Sequence, residues 1–211
     1  MNIQKANLIL DKIVVTFPNA HCELNYNSGF ELLVAVVLSA QCTDRRVNVV
    51  TKELFGIANT ADKMLELGQE RLEKIIYPCG FYNQKAQTIL QASSRIKLEH
   101  GGNVPNDFDF LTSIKGIGRK TANVVLSELF NGGGIAVDTH VFRVAKRLGL
   151  AAGNTPEKVE KELTVLYGDR TKAAHQSLVF FGRYLCRAIK PLCTECPVKE
   201  NCLFQIMQKS N

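Results

Sequence analysis

Apolar positions recur at helical spacing through almost the whole chain, and the strict alternation of a half-buried strand is scarce. Leu8, Ile9, Lys12, Ile13 and Val15 mark a first amphipathic helix. Residues 30–38 read FELLVAVVL, a nearly continuous apolar run. Alone it could be a buried strand. The flanking Ser39, Ala40 and Gln41 and the helical context favour a central helix buried on most sides. Thr43 and Asp44 can cap a following helix that carries Val47, Val50 and Leu54. Residues 62–67 and 69–76 predict two short helices. Pro78 and Gly80 break the chain, and residues 83–98 predict a long amphipathic helix. Loops follow at residues 101–105 and at the glycine triplet 132–134. The expected class is all-α.

Residues 107–131 read DFDFLTSIKGIGRKTANVVLSELFN. A short helix near Asp107 should stop at Lys115. A second should start near Arg119 and bury Ala122, Val125, Leu126 and Leu129. Gly116 and Gly118 can take positive φ in the turn between them, with Ile114 and Ile117 packed beneath. Such a turn aims backbone N–H groups outward at a helix N-terminus, which is an anion site by geometry and dipole. It is not a P-loop, because Arg119 rather than glycine precedes Lys120 and Thr121. It is not a dinucleotide fingerprint, because Thr121 takes the third glycine position and no strand precedes it. A plain helical corner would also show a GxG. Lys115, Arg119 and Lys120 beside the turn favour phosphate.

Four of the seven cysteines, Cys186, Cys193, Cys196 and Cys202, fall within seventeen positions at spacings of six, two and five residues. Clustered cysteines in a chain without a secretory signal point to metal rather than disulfides. The N-terminus has no such signal, and no apolar run is long enough to span a bilayer. The expected location is therefore the cytosol, or the nucleoid in a bacterium. Zinc sites usually show two close pairs; here only Cys193 and Cys196 form one. The isolated Cys22, Cys42 and Cys79 are expected to be buried small side chains. Charge is placed unevenly. Residues 1–110 hold 11 Lys and Arg against 12 Asp and Glu, while residues 111–211 hold 15 against 8. Positive charge gathered around the cysteines suggests a polyanionic partner.

The runs IKGIGRKTANVVL and IAVDTHVFRVAKRLGL, the C-x6-C-x2-C-x5-C tail and the early LLVAVVLSAQCTD together resemble endonuclease III. That is a helix-hairpin-helix family of DNA base-excision glycosylases, and the likeness runs over essentially the whole chain. The resemblance implies a two-lobed fold. A six-helix barrel with the hairpin would span residues 23–132, and a [4Fe–4S] cluster domain would combine 1–22 with 133–211, with a DNA cleft between the lobes. It implies Cys186, Cys193, Cys196 and Cys202 as cluster ligands. It implies Lys120 as nucleophile and Asp138 as its partner carboxylate, with Lys115, Gly116, Gly118 and Arg119 gripping a phosphate. Arg187 and Lys190 would lie on a basic loop held to DNA by the cluster. Gln41 would fill the gap left by a flipped base, with Phe81 as the apolar wedge. Phe81 stands where many relatives carry leucine, and a core role for it is the alternative. Lys115 stands where the family usually has proline, adding a charge near the phosphate.

The chemistry fits these residue types. Base removal develops positive charge at the sugar C1′, where a neutral lysine amine can attack and a carboxylate can stabilise the centre. Arg119 and the positive helix end favour the neutral amine. The Schiff base that follows acidifies the C2′ proton, and β-elimination breaks the 3′ phosphodiester. The expected activity is a bifunctional glycosylase and AP lyase acting on oxidised pyrimidines in damaged duplex DNA, as a monomer. On residues alone, Asp138 ahead of Val141, Val144, Ala145 and Leu148 is an ordinary N-cap, and His140 is expected to be packed. Two rivals follow. A monofunctional adenine glycosylase would lack the hairpin lysine and carry a catalytic glutamate on an early helix, where this chain has only Glu31. A non-catalytic iron–sulfur DNA-binding protein would bind without cutting. No carboxylate cluster supports a two-metal nuclease.

Overall fold

The computed structural model describes residues 1–209, with side chains through residue 207. Its α-helices are α1 (Ile3–Thr16), α2 (Gly29–Ser39), α3 (Asp44–Ile57), α4 (Ala61–Ile76), α5 (Tyr82–His100), α6 (Phe108–Ser113), α7 (Arg119–Phe130), α8 (Thr139–Leu148), α9 (Pro156–Tyr167), α10 (Thr171–Phe180) and α11 (Leu203–Lys209). Among the described residues every regular element is helical. The chain divides into two compact units, one over Glu23–Phe130 and one joining Met1–Cys22 to the chain from Asn131 onward.

The Glu23–Phe130 unit holds α2–α7, with α3, α5 and α7 packed on α2. Every residue of α2 from Phe30 to Leu38 is buried, which explains its unbroken apolar run. Ser28 caps it by accepting from the Glu31 N–H at 3.1 Å. The Glu31 carboxylate, 2% exposed, accepts in turn from the Asn27 backbone N–H at 2.6 Å and its side-chain amide at 3.2 Å. That carboxylate is committed to the helix start. Thr43 caps α3, accepting from the Arg46 N–H at 3.4 Å. The two short helices expected over 62–76 form α4 with a break at Gly68, whose φ of 74° leaves the helical region.

The second unit packs α1, α8, α9 and α10 around one core, with α11 against α8. Ala6, Ile9, Leu10 and Ile13 of α1 are fully buried there, beside Val141, Val144, Ala145 and Leu148 of α8. Beyond α10 the chain widens into a π turn over Phe181–Leu185 that delivers Cys186. Gly182 lies against α8: a Cβ there would come 2.9 Å from the His140 Cβ.

Candidate active site

The hairpin forms from α6 and α7. Asp107 caps α6, accepting from the Phe110 N–H at 2.8 Å, and the Ile117 N–H donates to the Ile114 carbonyl at 3.0 Å to close the turn. Ile114 and Ile117 are buried beneath it, as their spacing suggests. The glycines differ from expectation. Only Gly116 takes positive φ, at 95°. A Cβ there would press on Thr88 of α5, 3.0 Å from Cγ2 and closer still to Oγ1. Gly118 is not in the left-handed region, and a Cβ on it would meet nothing within 4 Å. One glycine is demanded by fold and φ; the other keeps the outer surface of the turn bare. The Gly118 carbonyl accepts the Ala122 N–H at 3.0 Å, so α7 starts here. The first N–H groups of a helix have no intrahelical partner and face the position of an anion.

Lys115, Arg119 and Lys120 are all exposed around this turn. Arg119 lies over the Phe108 ring at 4.7 Å, which fixes its guanidinium beside the N-terminus of α7. Lys120 occupies the first turn of α7, while Ala122, Val125 and Leu126 anchor the opposite face in the core.

Two further turns of the same unit carry Gln41 and Phe81. Both are non-glycine residues in the left-handed region, with φ of 54° and 48°. Such backbone is strained and persists only where the surroundings hold it. Phe81 is 59% exposed, so it is not a core side chain. Tyr77, also exposed, meets the Tyr82 ring at 5.0 Å with the planes tilted by 49°, adding an aromatic pair next to Phe81 in the chain that the sequence reading did not single out. Arg46 reaches the Pro78 carbonyl at 3.5 Å and was likewise missed.

The stray cysteines depart from expectation. Cys79 is buried, but Cys22 and Cys42 are only half-buried. Nor are Cys42 and Cys79 isolated. Burial, and after it the adjacent Cys42 thiol, push the Cys79 thiol up to about 11. Thirty-six intervening residues hid this pairing.

In the other unit Asp138 caps α8, its Oδ1 accepting from the Val141 N–H at 2.7 Å. The cap holds one carboxylate oxygen and orients the group. His140 is half-buried, its Nδ1 3.2 Å from Arg143 Nη2, and it packs against Gly182.

Cys186, Cys193, Cys196 and Cys202 line one cavity with Leu148, Phe181, Leu185 and Pro191. Burial pushes the Cys196 thiol up to about 11, and the other three thiols add to the shift. Thiolates ligate zinc and iron–sulfur clusters alike, and four thiols around one apolar-walled cavity fit a [4Fe–4S] group, which takes each thiolate at a separate iron.

Two arginines on the polar face of α8 hold this loop. Arg147 donates to the Arg187 carbonyl at 2.7 Å and the Ala188 carbonyl at 3.1 Å, and reaches the Cys186 sulfur at 3.6 Å. Arg143 donates to the Gly182 carbonyl at 2.8 Å and the Cys186 carbonyl at 3.1 Å. Their i,i+4 spacing was visible in the sequence; their targets were not. Arg187 and Lys190 are exposed on the loop, Lys190 with φ of 51°.

Residues 34–168 match the HhH-GPD superfamily base excision DNA repair protein family. The chain is 48% identical to the endonuclease III of Rickettsia felis over 203 residues, covering 96% of this chain and 95% of that protein. Against the endonuclease III of Bacillus subtilis it is 45% identical over 204 residues, covering 96% and 93%. A solved structure of a trapped endonuclease III–DNA covalent intermediate superposes with a TM-score of 0.91 at 42% identity, covering 99% of both chains. A family model over more than half of the chain and close to half of all positions shared with endonuclease III proteins along nearly their full length show that the chain belongs to the HhH-GPD superfamily and, within it, to the endonuclease III family of DNA glycosylases and AP lyases.

Proposed function

We propose that this protein excises oxidised pyrimidines from duplex DNA and cleaves the strand 3′ to the resulting abasic site, with Lys120 as nucleophile and Asp138 as its carboxylate partner. The observation that carries the reading is Lys120 itself: an exposed amine in the first turn of α7, immediately behind an outward-facing hairpin.

The hairpin turn, with Lys115, Gly116, Gly118 and Arg119, holds a phosphate of the damaged strand. The flipped nucleotide then presents C1′ to the Lys120 amine. Attack there expels the base and leaves a carbinolamine, which opens the sugar ring as the Schiff base forms. Loss of the C2′ proton sends its electron pair into the iminium and expels the 3′ phosphate. Water then releases the enzyme. Asp138 serves by charge. Its capped carboxylate stabilises the cationic sugar and relays the protons that Lys120 must lose. Gln41 and Phe81 occupy the space the extruded nucleotide leaves. The Glu23–Phe130 unit acts as the barrel domain expected over 23–132, and the remainder as the cluster domain expected over 1–22 and 133–211. Cys186, Cys193, Cys196 and Cys202 hold a [4Fe–4S] cluster. The cluster supplies a structural pin that sets the Arg187–Lys190 loop against the DNA backbone. The chain works as a monomer, on DNA in the cytoplasm.

The test is borohydride trapping on a duplex with one thymine glycol. Wild type should yield a covalent protein–DNA adduct, and Lys120→Ala should yield none while still binding. Base release without an adduct would mean a monofunctional glycosylase. Binding with neither on this duplex and on an abasic one would mean a non-catalytic DNA-binding protein. The monofunctional reading already lacks support here, since the Glu31 carboxylate is buried against the start of α2.

A further inference from the structure

Lys85 lies one turn into α5, the helix that the apolar pattern gives as amphipathic over 83–98. It is only 6% exposed. Its Nζ donates to the Leu38 carbonyl at 2.8 Å and the Cys79 carbonyl at 2.9 Å. Its backbone N–H donates to the Phe81 carbonyl at 3.0 Å. Burial holds the ammonium below the usual lysine range. An ammonium withdrawn from water onto neutral carbonyls costs free energy that a surface lysine avoids.

The two carbonyls explain the placement. At the end of α2 the Val36 carbonyl takes the Ser39 hydroxyl, Val37 takes the Ala40 N–H and Ser39 takes the Cys42 N–H. The Leu38 carbonyl takes Lys85. Three residues later comes Gln41 in the left-handed region; two residues after Cys79 comes Phe81 in the same region. One buried cation therefore bridges the roots of two strained turns that are 40 residues apart in sequence. The negative end of the α2 dipole favours a cation there.

We propose that Lys85 is a positioning residue for base extrusion: it clamps the Gln41 turn to the Phe81 turn, so that both side chains enter the duplex as one rigid unit. The proposal rests on the reading of Gln41 and Phe81 as the residues that fill the vacated space. It adds a clamp that neither touches DNA nor takes part in the chemistry. A merely structural lysine would support the fold equally for every substrate. A clamp for extrusion matters only where a stacked, paired base must be displaced, since unstacking is cheapest where no base remains.

The experiment compares single-turnover cleavage by Lys85→Met on two duplexes of one sequence, one with thymine glycol paired to adenine and one with a preformed abasic site. A misplacement near 1 Å can cost about 100-fold. Lys85→Met should therefore be slowed about 10-fold or more on the paired lesion and by less than about 3-fold on the abasic duplex. Adding it to Gln41→Ala/Phe81→Ala should cost nothing further on the paired lesion. If Lys85→Met does not fold, Lys85→Gln, which keeps an amide donor, carries the same comparison. Equal loss on both duplexes, no loss on either, or an undiminished effect in the double-variant background each overturns the clamp. The underlying reading fails separately: Gln41→Ala/Phe81→Ala would then cleave the paired lesion at the wild-type rate.

Discussion

Gly116→Ala tests the hairpin at its tightest point. Two separate costs arise. At φ 95° an alanine is held where L residues are strained, worth roughly 1–3 kcal/mol. Its Cβ would also press on the Thr88 side chain, which is 8% exposed and has little room to yield, for roughly 1–3 kcal/mol of overpacking. The expected loss is about 2–6 kcal/mol, measured as the shift in urea midpoint at constant slope. Thr88→Ala added to Gly116→Ala removes the Oγ1 and Cγ2 contacts but leaves the residue 88 Cβ at 3.1 Å and the backbone strain, so roughly 1 kcal/mol of the loss should return. Gly118→Ala is the control. It meets nothing within 4 Å and needs no positive φ, so stability should change by less than about 0.5 kcal/mol. Its methyl group still intrudes where a phosphate must approach the backbone, so affinity for duplex DNA should fall. A wild-type midpoint for Gly116→Ala, or no rescue by Thr88→Ala, would refute the described turn. Unchanged DNA affinity for Gly118→Ala would refute a phosphate on it.

Asp138→Ser keeps an N-cap and loses the carboxylate, so the melting temperature should stay near wild type while cleavage collapses; Asp138→Ala should lose about 1 kcal/mol of stability as well. Cys196→Ser should lose iron content and visible absorbance and weaken DNA binding, whereas Cys22→Ser should lose neither. Tyr167 is buried, its hydroxyl has no hydrogen-bond partner among the described residues, and burial raises its pKa far above the ordinary value near 10. The folded state thus holds the proton that the unfolded state releases, and stability falls as pH rises beyond about 10. Tyr167→Phe should flatten that part of the denaturation profile and be neutral or slightly stabilising at pH 7.

The all-helical fold was legible because burial tracks the apolar pattern closely. Residues 30–38 read as one run because every face of α2 is covered. The break at Gly68 separated two short helices in sequence and in space alike. Capping chemistry placed Thr43, Asp107 and Asp138 at helix starts, and each accepts the expected N–H. Tertiary neighbours decided what local pattern left open. Which hairpin glycine has no room for a Cβ is set by Thr88, 28 residues earlier on α5. The left-handed Gln41 and Phe81 have no local signature, because neither is one of the residue types that favour that region. Nothing in the sequence marked Lys85, because its partners are carbonyls at residues 38 and 79, and carbonyls leave no trace in side-chain identity.

Among these tests, the position of the covalent bond bears hardest on the mechanism. Wild-type protein trapped on thymine glycol duplex with borohydride would be digested with protease and nuclease, and the modified peptide sequenced by tandem mass spectrometry. The reduced sugar should sit on the Lys120 amine, at the first turn of α7 behind the hairpin. Attachment at Lys115 or another amine, with Lys120 unmodified, would contradict the assignment of the nucleophile.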